Sequence, residues 1–228
     1  MNVILNDDSP KELLKKSSLI KNWEERIDES IKVTTLKVDT IDIFPGPRVG
    51  FLECDVSYIN NSIKGNEHFL LAGGSVSIVL LIQCESLDYD LTLLVRQPRL
   101  GSGTLTYEFP AGMVDDSYDY KGVALRELEE ECGITLKEEE LIDINQITKK
   151  DYYSYPSLID ESYHIFFGKI KMNEKQLNEI EGRNGGVDDE EQITQHFFKF
   201  EDVWKISTDS ATISIFYIIQ KLIKESKI

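Results

Sequence analysis

Glu127, Glu130 and Glu131 stand close together in the run Gly112 to Ile134, GMVDDSYDYKGVALRELEEECGI. With about 100° of rotation per helical residue, Ala124, Leu125, Leu128 and Cys132 share one side and the three carboxylates converge on an adjoining side. Alone, that grouping is unfavourable. Like charges at i,i+3 and i,i+4 repel by roughly 0.2–0.5 kcal/mol per pair, and the last turn before Gly133 is the negative end of the helix dipole. Arg126 can neutralise only one of the three. A patch that breaks local rules this way implies a missing cation, and oxygen-only donors favour a hard one, Mg²⁺ or Mn²⁺. The competing reading is a solvated acidic face on an acidic protein.

The elements around this patch must hold it in place. Arg126 to Gly133 predicts the end of a helix, closed by a glycine that tolerates the left-handed conformation. Thr104 to Phe109 reads as a strand that delivers Pro110-Ala111-Gly112 to that helix, and Ser75 to Gln83 and Leu91 to Arg96 read as buried core strands. Further strands are expected at Leu141 to Ile147, Ser162 to Ile170 and Ile193 to Phe200. A polar helix is expected around Asn173 to Glu181, a glycine-rich acidic loop at Gly182 to Glu191, and a closing helix from Asp209 to Ile223 capped by Asp209 or Ser210. Upstream, residues 10–31 read as one helix with an apolar face of Leu13, Leu14, Leu19, Ile20, Trp23 and Ile27. Trp23 is read as a packing residue, with base stacking as its alternative. Strands follow at Ile31 to Val38, Ile41 to Phe44 and Val49 to Ile59. The pattern predicts an α/β protein, a small antiparallel β domain over residues 1–70 followed by an α/β/α sandwich with a mixed sheet over residues 71–228.

Composition sets outer bounds. The 228 residues carry 41 acidic against 25 basic side chains, a net charge of -16, and such a field repels phosphate backbones at long range. Nucleic acid is therefore not an expected partner, and an anionic small substrate would need local arginines or a metal. Cys54, Cys84 and Cys132 have no metal-ligand spacing and form no even disulfide set. His68, His164 and His196 lack metal-site spacing to one another and read as ordinary strand residues. No run approaches a membrane span of ~20 apolar residues, and the expected location is cytoplasmic.

The run from Gly112 resembles the box of the Nudix hydrolase superfamily: Gly112, Arg126, Glu127, Leu128, Glu130, Glu131, Gly133 and Ile134 stand at the family's spacing. Tyr118 departs, standing where the first glutamate is expected. Asp115, Asp116 and Asp119 lie close enough to substitute for it. Tyr107-Glu108-Phe109-Pro110-Ala111-Gly112-Met113 and Arg96-Gln97-Pro98-Arg99 are similar to segments of the ADP-sugar pyrophosphatase branch. Lys21-Asn22-Trp23, Arg48 to Leu52 and Asp202-Val203-Trp204 are similar to plant-type ADP-glucose and ADP-ribose diphosphatases.

That resemblance implies metal-assisted hydrolysis of an ADP-sugar, ADP-ribose or ADP-glucose, to AMP and sugar phosphate. It implies Glu127, Glu130, Glu131 and the Ala111 carbonyl as Mg²⁺ or Mn²⁺ ligands. It implies Arg99, Arg96, Glu108 and Trp23 toward the substrate, and a loop glutamate as the base: Glu191, with Glu190 and Glu161 as rivals. It also implies a homodimer in which the N-terminal domain helps to build the partner's pocket. The alternatives are a Nudix hydrolase of another nucleoside diphosphate derivative, and a binding or regulatory protein of weakened turnover.

Overall fold

A computed structural model describes residues 1–5, 11–46, 48–114, 119–185 and 192–228. In chain order the elements are β1 (Asn2–Leu5), α1 (Lys11–Lys16), α2 (Leu19–Arg26), β2 (Ile31–Phe44), β3 (Arg48–Asn60), β4 (Ile63–Leu71), β5 (Gly74–Gln83), β6 (Leu91–Arg99), β7 (Thr104–Glu108), β8 (Ala111–Met113) and α3 (Tyr120–Cys132). There follow β9 (Leu141–Asp143), α4 (Ile144–Thr148), β10 (Tyr152–Tyr153), β11 (Ser162–Lys171), α5 (Glu174–Ile180), β12 (Asn184–Gly185), β13 (Ile193–Lys199), α6 (Val203–Ile206) and α7 (Ser210–Lys224). The chain forms two compact units, Met1–Gly74 with Tyr153–Ser162, and Ser75–Tyr152 with Tyr163–Ile228. Among the described residues no helix is long and apolar enough to cross a membrane.

The first unit is a four-stranded sheet, β1-β2-β3-β4, one face of which is covered by the two short helices. β2, β3 and β4 form an antiparallel meander, while β1 adds to β2 in parallel at the edge. Alternation along the strands buries Leu36, Val38, Leu52, Cys54, Val56, Phe69 and Leu71 against Leu13, Leu14, Leu19, Ile20 and Trp23. The helix expected over residues 10–31 is broken between α1 and α2, where the Ser17 hydroxyl accepts from the Leu19 amide at 3.3 Å; short polar side chains offer the backbone this alternative to a helical bond. The two strands expected between Ile31 and Phe44 are one. Register shifts against β3 absorb the polar Asp39-Thr40 step that suggested a break. β3 and β4 join through Asn61 and Ser62, both left-handed (φ 48° and 67°), as a two-residue hairpin of primed type requires.

The segment Tyr153–Ser162 joins this unit through a parallel bridge of Ile159 with Leu70, backed by bonds from the Leu70 amide to Leu158 O at 2.8 Å and from the Asp160 amide to Leu70 O at 3.0 Å, and through one buried carboxylate. Asp160 Oδ1 accepts from the amides of Ala72 and Gly73 at 2.6 and 3.0 Å, and Oδ2 accepts from Arg26 Nη2 at 2.6 Å. Sequence reading places residues 71–228 in one domain and does not anticipate this return.

The second unit is an α/β/α sandwich on a mixed nine-stranded sheet with the path β10-β11-β5-β6-β13-β12, to which β7, β8 and β9 add at β6, β5 and β11. β5 is buried on both faces. Val76, Ile78, Leu80 and Ile82 pack with Leu128 and Cys132 of α3, whereas Val79 and Leu81 pack with Phe216 and Ile219 of α7. α7 starts at its expected cap, Asp209 accepting from the Thr212 amide at 2.7 Å. The strand expected over Leu141–Ile147 stops at Asp143 and turns into α4. Asp143 caps that helix through the Gln146 amide at 3.0 Å, and buried Asn145 exchanges bonds with the backbone of Tyr163 and Ile165. A local cap overrides the β-branched pattern there.

Candidate active site

Both ends of α3 are fixed by local chemistry. The Asp119 carboxylate accepts from the Gly122 amide at 3.0 Å, and a Cβ at Gly122 would collide with that carboxylate. At the other end Gly133 is left-handed (φ 65°); its amide donates to Glu129 O at 3.0 Å and that of Ile134 to Leu128 O at 3.1 Å. Burial of Val123, Ala124, Leu128 and Cys132 against the sheet sets the rotation of the helix. Glu127 is then half-buried, Glu130 exposed, and Glu131 buried at 6% exposure.

β5 and β8 bring the loop before the helix to these carboxylates. Val76 pairs with Gly112 and Ser77 with Ala111, and a Cβ at Gly112 would land on the Glu127 carboxyl. The absent side chain lets that carboxyl lie against the Ala111-Gly112 backbone.

On the same sheet face as α3, β6 and β7 present Arg99 and Glu108. Arg99 Nε and Nη2 donate to the two Glu108 oxygens at 2.8 and 2.6 Å, and the Thr106 hydroxyl donates at 2.5 Å. Burial would push the Glu108 carboxyl up, but the bonds from Arg99 and Thr106 outweigh it and hold it below the usual range. Arg99 is held above its ordinary value by Glu108 first, with Asp209 and Glu131 adding to it, so its charge is felt at the carboxylate helix.

The other residues proposed from sequence are placed as follows among the described residues. Arg96 projects toward α7, its guanidinium 5.7 Å from the centre of the Tyr107 ring, because side chains three apart on a strand take opposite faces. Trp23 packs in the first unit, its ring 5.5 Å from that of Phe69. Glu161 also lies in that unit, in Tyr153–Ser162. Glu190 and Glu191, and with them Tyr118, Asp115 and Asp116, lie outside the described residues.

Among the described residues, the group whose potential ligand atoms all lie within 4.8 Å of one another is Asp39, Asp55 and His68, not the three glutamates. Lys37 already meets Asp39 and Asp55 there, and His68 Nδ1 lies 2.8 Å from Asp55, so this group is an ion-pair network on the first unit's sheet. The glutamates, all oxygen donors of one sign on one helix, with Glu127 packed against Gly112, suit a hard cation that would draw them together. Elsewhere, His164 stacks on Tyr120 at 3.8 Å and burial pulls its pKa down, while His196 Nδ1 lies 2.8 Å from Glu181.

The profile of the NUDIX domain matches residues 74–217. The chain belongs to the Nudix family. Its Nudix box is Gly112 to Ile134, with α3 as the carboxylate helix. Nudix hydrolase 14, chloroplastic, of Arabidopsis thaliana is 26% identical over 211 residues, spanning 86% of this chain and 68% of its own length. The ADP-ribose pyrophosphatase of Bacillus subtilis is 28% identical over 142 residues, 61% of this chain and 70% of that protein. A solved structure described as an ADP compounds hydrolase matches with a TM-score of 0.60 at 14% identity, covering 88% of this chain and 98% of its own, a likeness of fold. The family and these relatives make the chain a Nudix enzyme of the hydrolase class.

Proposed function

We propose that this Nudix protein hydrolyses the diphosphate of an ADP-sugar, ADP-ribose or ADP-glucose, to AMP and a sugar phosphate, with Mg²⁺ or Mn²⁺ as cofactor. The observation that carries it is the arrangement on one sheet face: Glu127 against the Ala111-Gly112 backbone, Glu131 buried beside it, and Arg99 within electrostatic reach. The ADP-ribose pyrophosphatase of Bacillus subtilis supports the substrate class.

Glu127, Glu130, Glu131 and the Ala111 carbonyl would hold the ion, which when bound supplies Lewis-acid stabilisation of phosphoryl charge and lowers the pKa of a water. Arg99 offers a planar fork to a phosphate, and Glu108 orients it until substrate arrives. Glu191 takes the proton from the attacking water as the new P–O bond forms and the P–O–P bridge breaks, with Glu190 and Glu161 as the rival bases. The same reading makes the protein a homodimer of a reducing compartment, the cytoplasm, in keeping with three free and buried cysteines.

Tyr118 favours a second reading, a Nudix domain of weakened turnover. The deciding experiment incubates purified protein with Mg²⁺ and a panel of ADP-sugars and follows AMP release. Release from ADP-ribose or ADP-glucose that stops in EDTA is expected. Binding without release would support the second reading, and release from other nucleoside diphosphate derivatives alone would move the substrate.

A further inference from the structure

The last turn of α3 leaves backbone carbonyls without helical partners, as every helix end does. Those of Leu128 and Glu129 are taken by the amides of Ile134 and Gly133. The carbonyl of Glu131 is met from a different element: Gln195 Nε2, on β13, donates to it. Gln195 is 1% exposed and its backbone is held by the neighbouring segment, its main-chain N–H donating to Arg183 O at 3.1 Å and its main-chain carbonyl accepting from the Gly182 N–H at 2.7 Å. Its Cα partner across the sheet is Val95 of β6. β12 closes on the same pair of atoms, for a Cβ at Gly185 would fall on both the Glu131 carbonyl oxygen and Gln195 Nε2. A side chain 64 residues away thus grips the backbone of Glu131, the buried glutamate of α3.

We propose that Gln195 is a positioning residue for the metal site: by anchoring the Glu131 carbonyl it fixes the backbone torsions from which the Glu131 carboxylate projects. This rests on the reading of Glu131 as a ligand. A fully buried amide fits that work better than a charged group. It donates to a carbonyl without bringing a charge beside Glu127 and Glu131, and its loss leaves a buried acceptor unmet. Groups that orient ligands from behind typically govern metal affinity or activity by about 10–100-fold when removed.

The test uses the full chain with Gln195→Met, similar in size but without the donor, and reads Mn²⁺ binding by electron paramagnetic resonance, thermal midpoint, and kcat and KM separately. A Mn²⁺ affinity weakened about 10–100-fold, with kcat lowered and KM for substrate little changed, is expected. Gln195→Asn, one methylene shorter, should fall between wild type and Gln195→Met, and it takes over the test if Gln195→Met does not fold. Wild-type Mn²⁺ affinity in a folded variant, with only the thermal midpoint lowered, would make Gln195 a purely structural residue and overturn the inference. Glu131→Gln run in parallel separates the two readings. Undiminished Mn²⁺ binding there removes the ligand assignment and the inference together, while weakened binding there beside intact binding in Gln195→Met removes the inference alone.

Discussion

Gly112 shows how much of a site rests on what a residue lacks. Its missing Cβ is the space the Glu127 carboxyl occupies, so Gly112→Ala should push that carboxyl away while leaving every ligand type in place. A misplacement of about 1 Å can cost ~10² in rate, and kcat at saturating Mg²⁺ measured for Gly112→Ala should fall by that order. Near wild-type turnover would mean that Glu127 does not need its place against the backbone. The proposed base is a separate matter of chemistry: Glu191→Gln should lose about 10²–10⁴ in kcat with substrate binding largely kept. If Glu190→Gln or Glu161→Gln collapses instead, the base is assigned to the wrong glutamate and the hydrolase reading stands.

Pairing between β6 and β7 sets Arg99 and Glu108 opposite the carboxylate helix, and their ion pair makes that part of the sheet responsive to pH. Glu108 is held below its ordinary value in the folded chain, so it stabilises the fold above the ordinary carboxylate pKa and loses that contribution as pH falls through the lower, folded value. The difference in urea midpoint between wild type and Glu108→Gln should therefore be full at neutral pH and shrink on acidification below the usual carboxylate range. A difference independent of pH would show that the pair adds nothing through charge. The same strand explains why Arg96 and Arg99, three residues apart in the motif, part company. Their positions along β6 put one toward α7 and the other toward α3.

For the whole chain, the return of Tyr153–Ser162 to the first unit joins backbone bonds at Leu70 to the Asp160 carboxylate, whose side chain is 6% exposed, and removing that carboxylate leaves the amides of Ala72 and Gly73 without their acceptor at a cost of roughly 1–3 kcal/mol. Asp160→Ala should lower the chemical-denaturation stability of the first unit by that order, and a change below ~1 kcal/mol would show that the amides of Ala72 and Gly73 find other acceptors. The proposed homodimer is checked by light scattering at micromolar concentration, where an active monomer would remove it.

The carboxylate helix, its closing glycine, the strand that feeds it and the cap of α7 were legible in the sequence because each is decided within a turn or two: a 3.6-residue period, a left-handed glycine, an aspartate before a helix. The Glu-Arg-Gly spacing of the box also carried the family. What stayed hidden depends on partners distant in sequence. Nothing near Gln195 announces that its amide serves the carbonyl of Glu131, or near Asp160 that its carboxylate receives Ala72, Gly73 and Arg26. The break between α1 and α2, the join of two expected strands into β2, and the turn of Leu141–Ile147 into α4 were settled by hydrogen bonds and registers that a linear pattern leaves undecided. Sequence determined the residue types and the helical period of the box, and with them the family, and the tertiary fold decided which of these groups meet, because burial and pairing act between positions that the chain brings together only when folded.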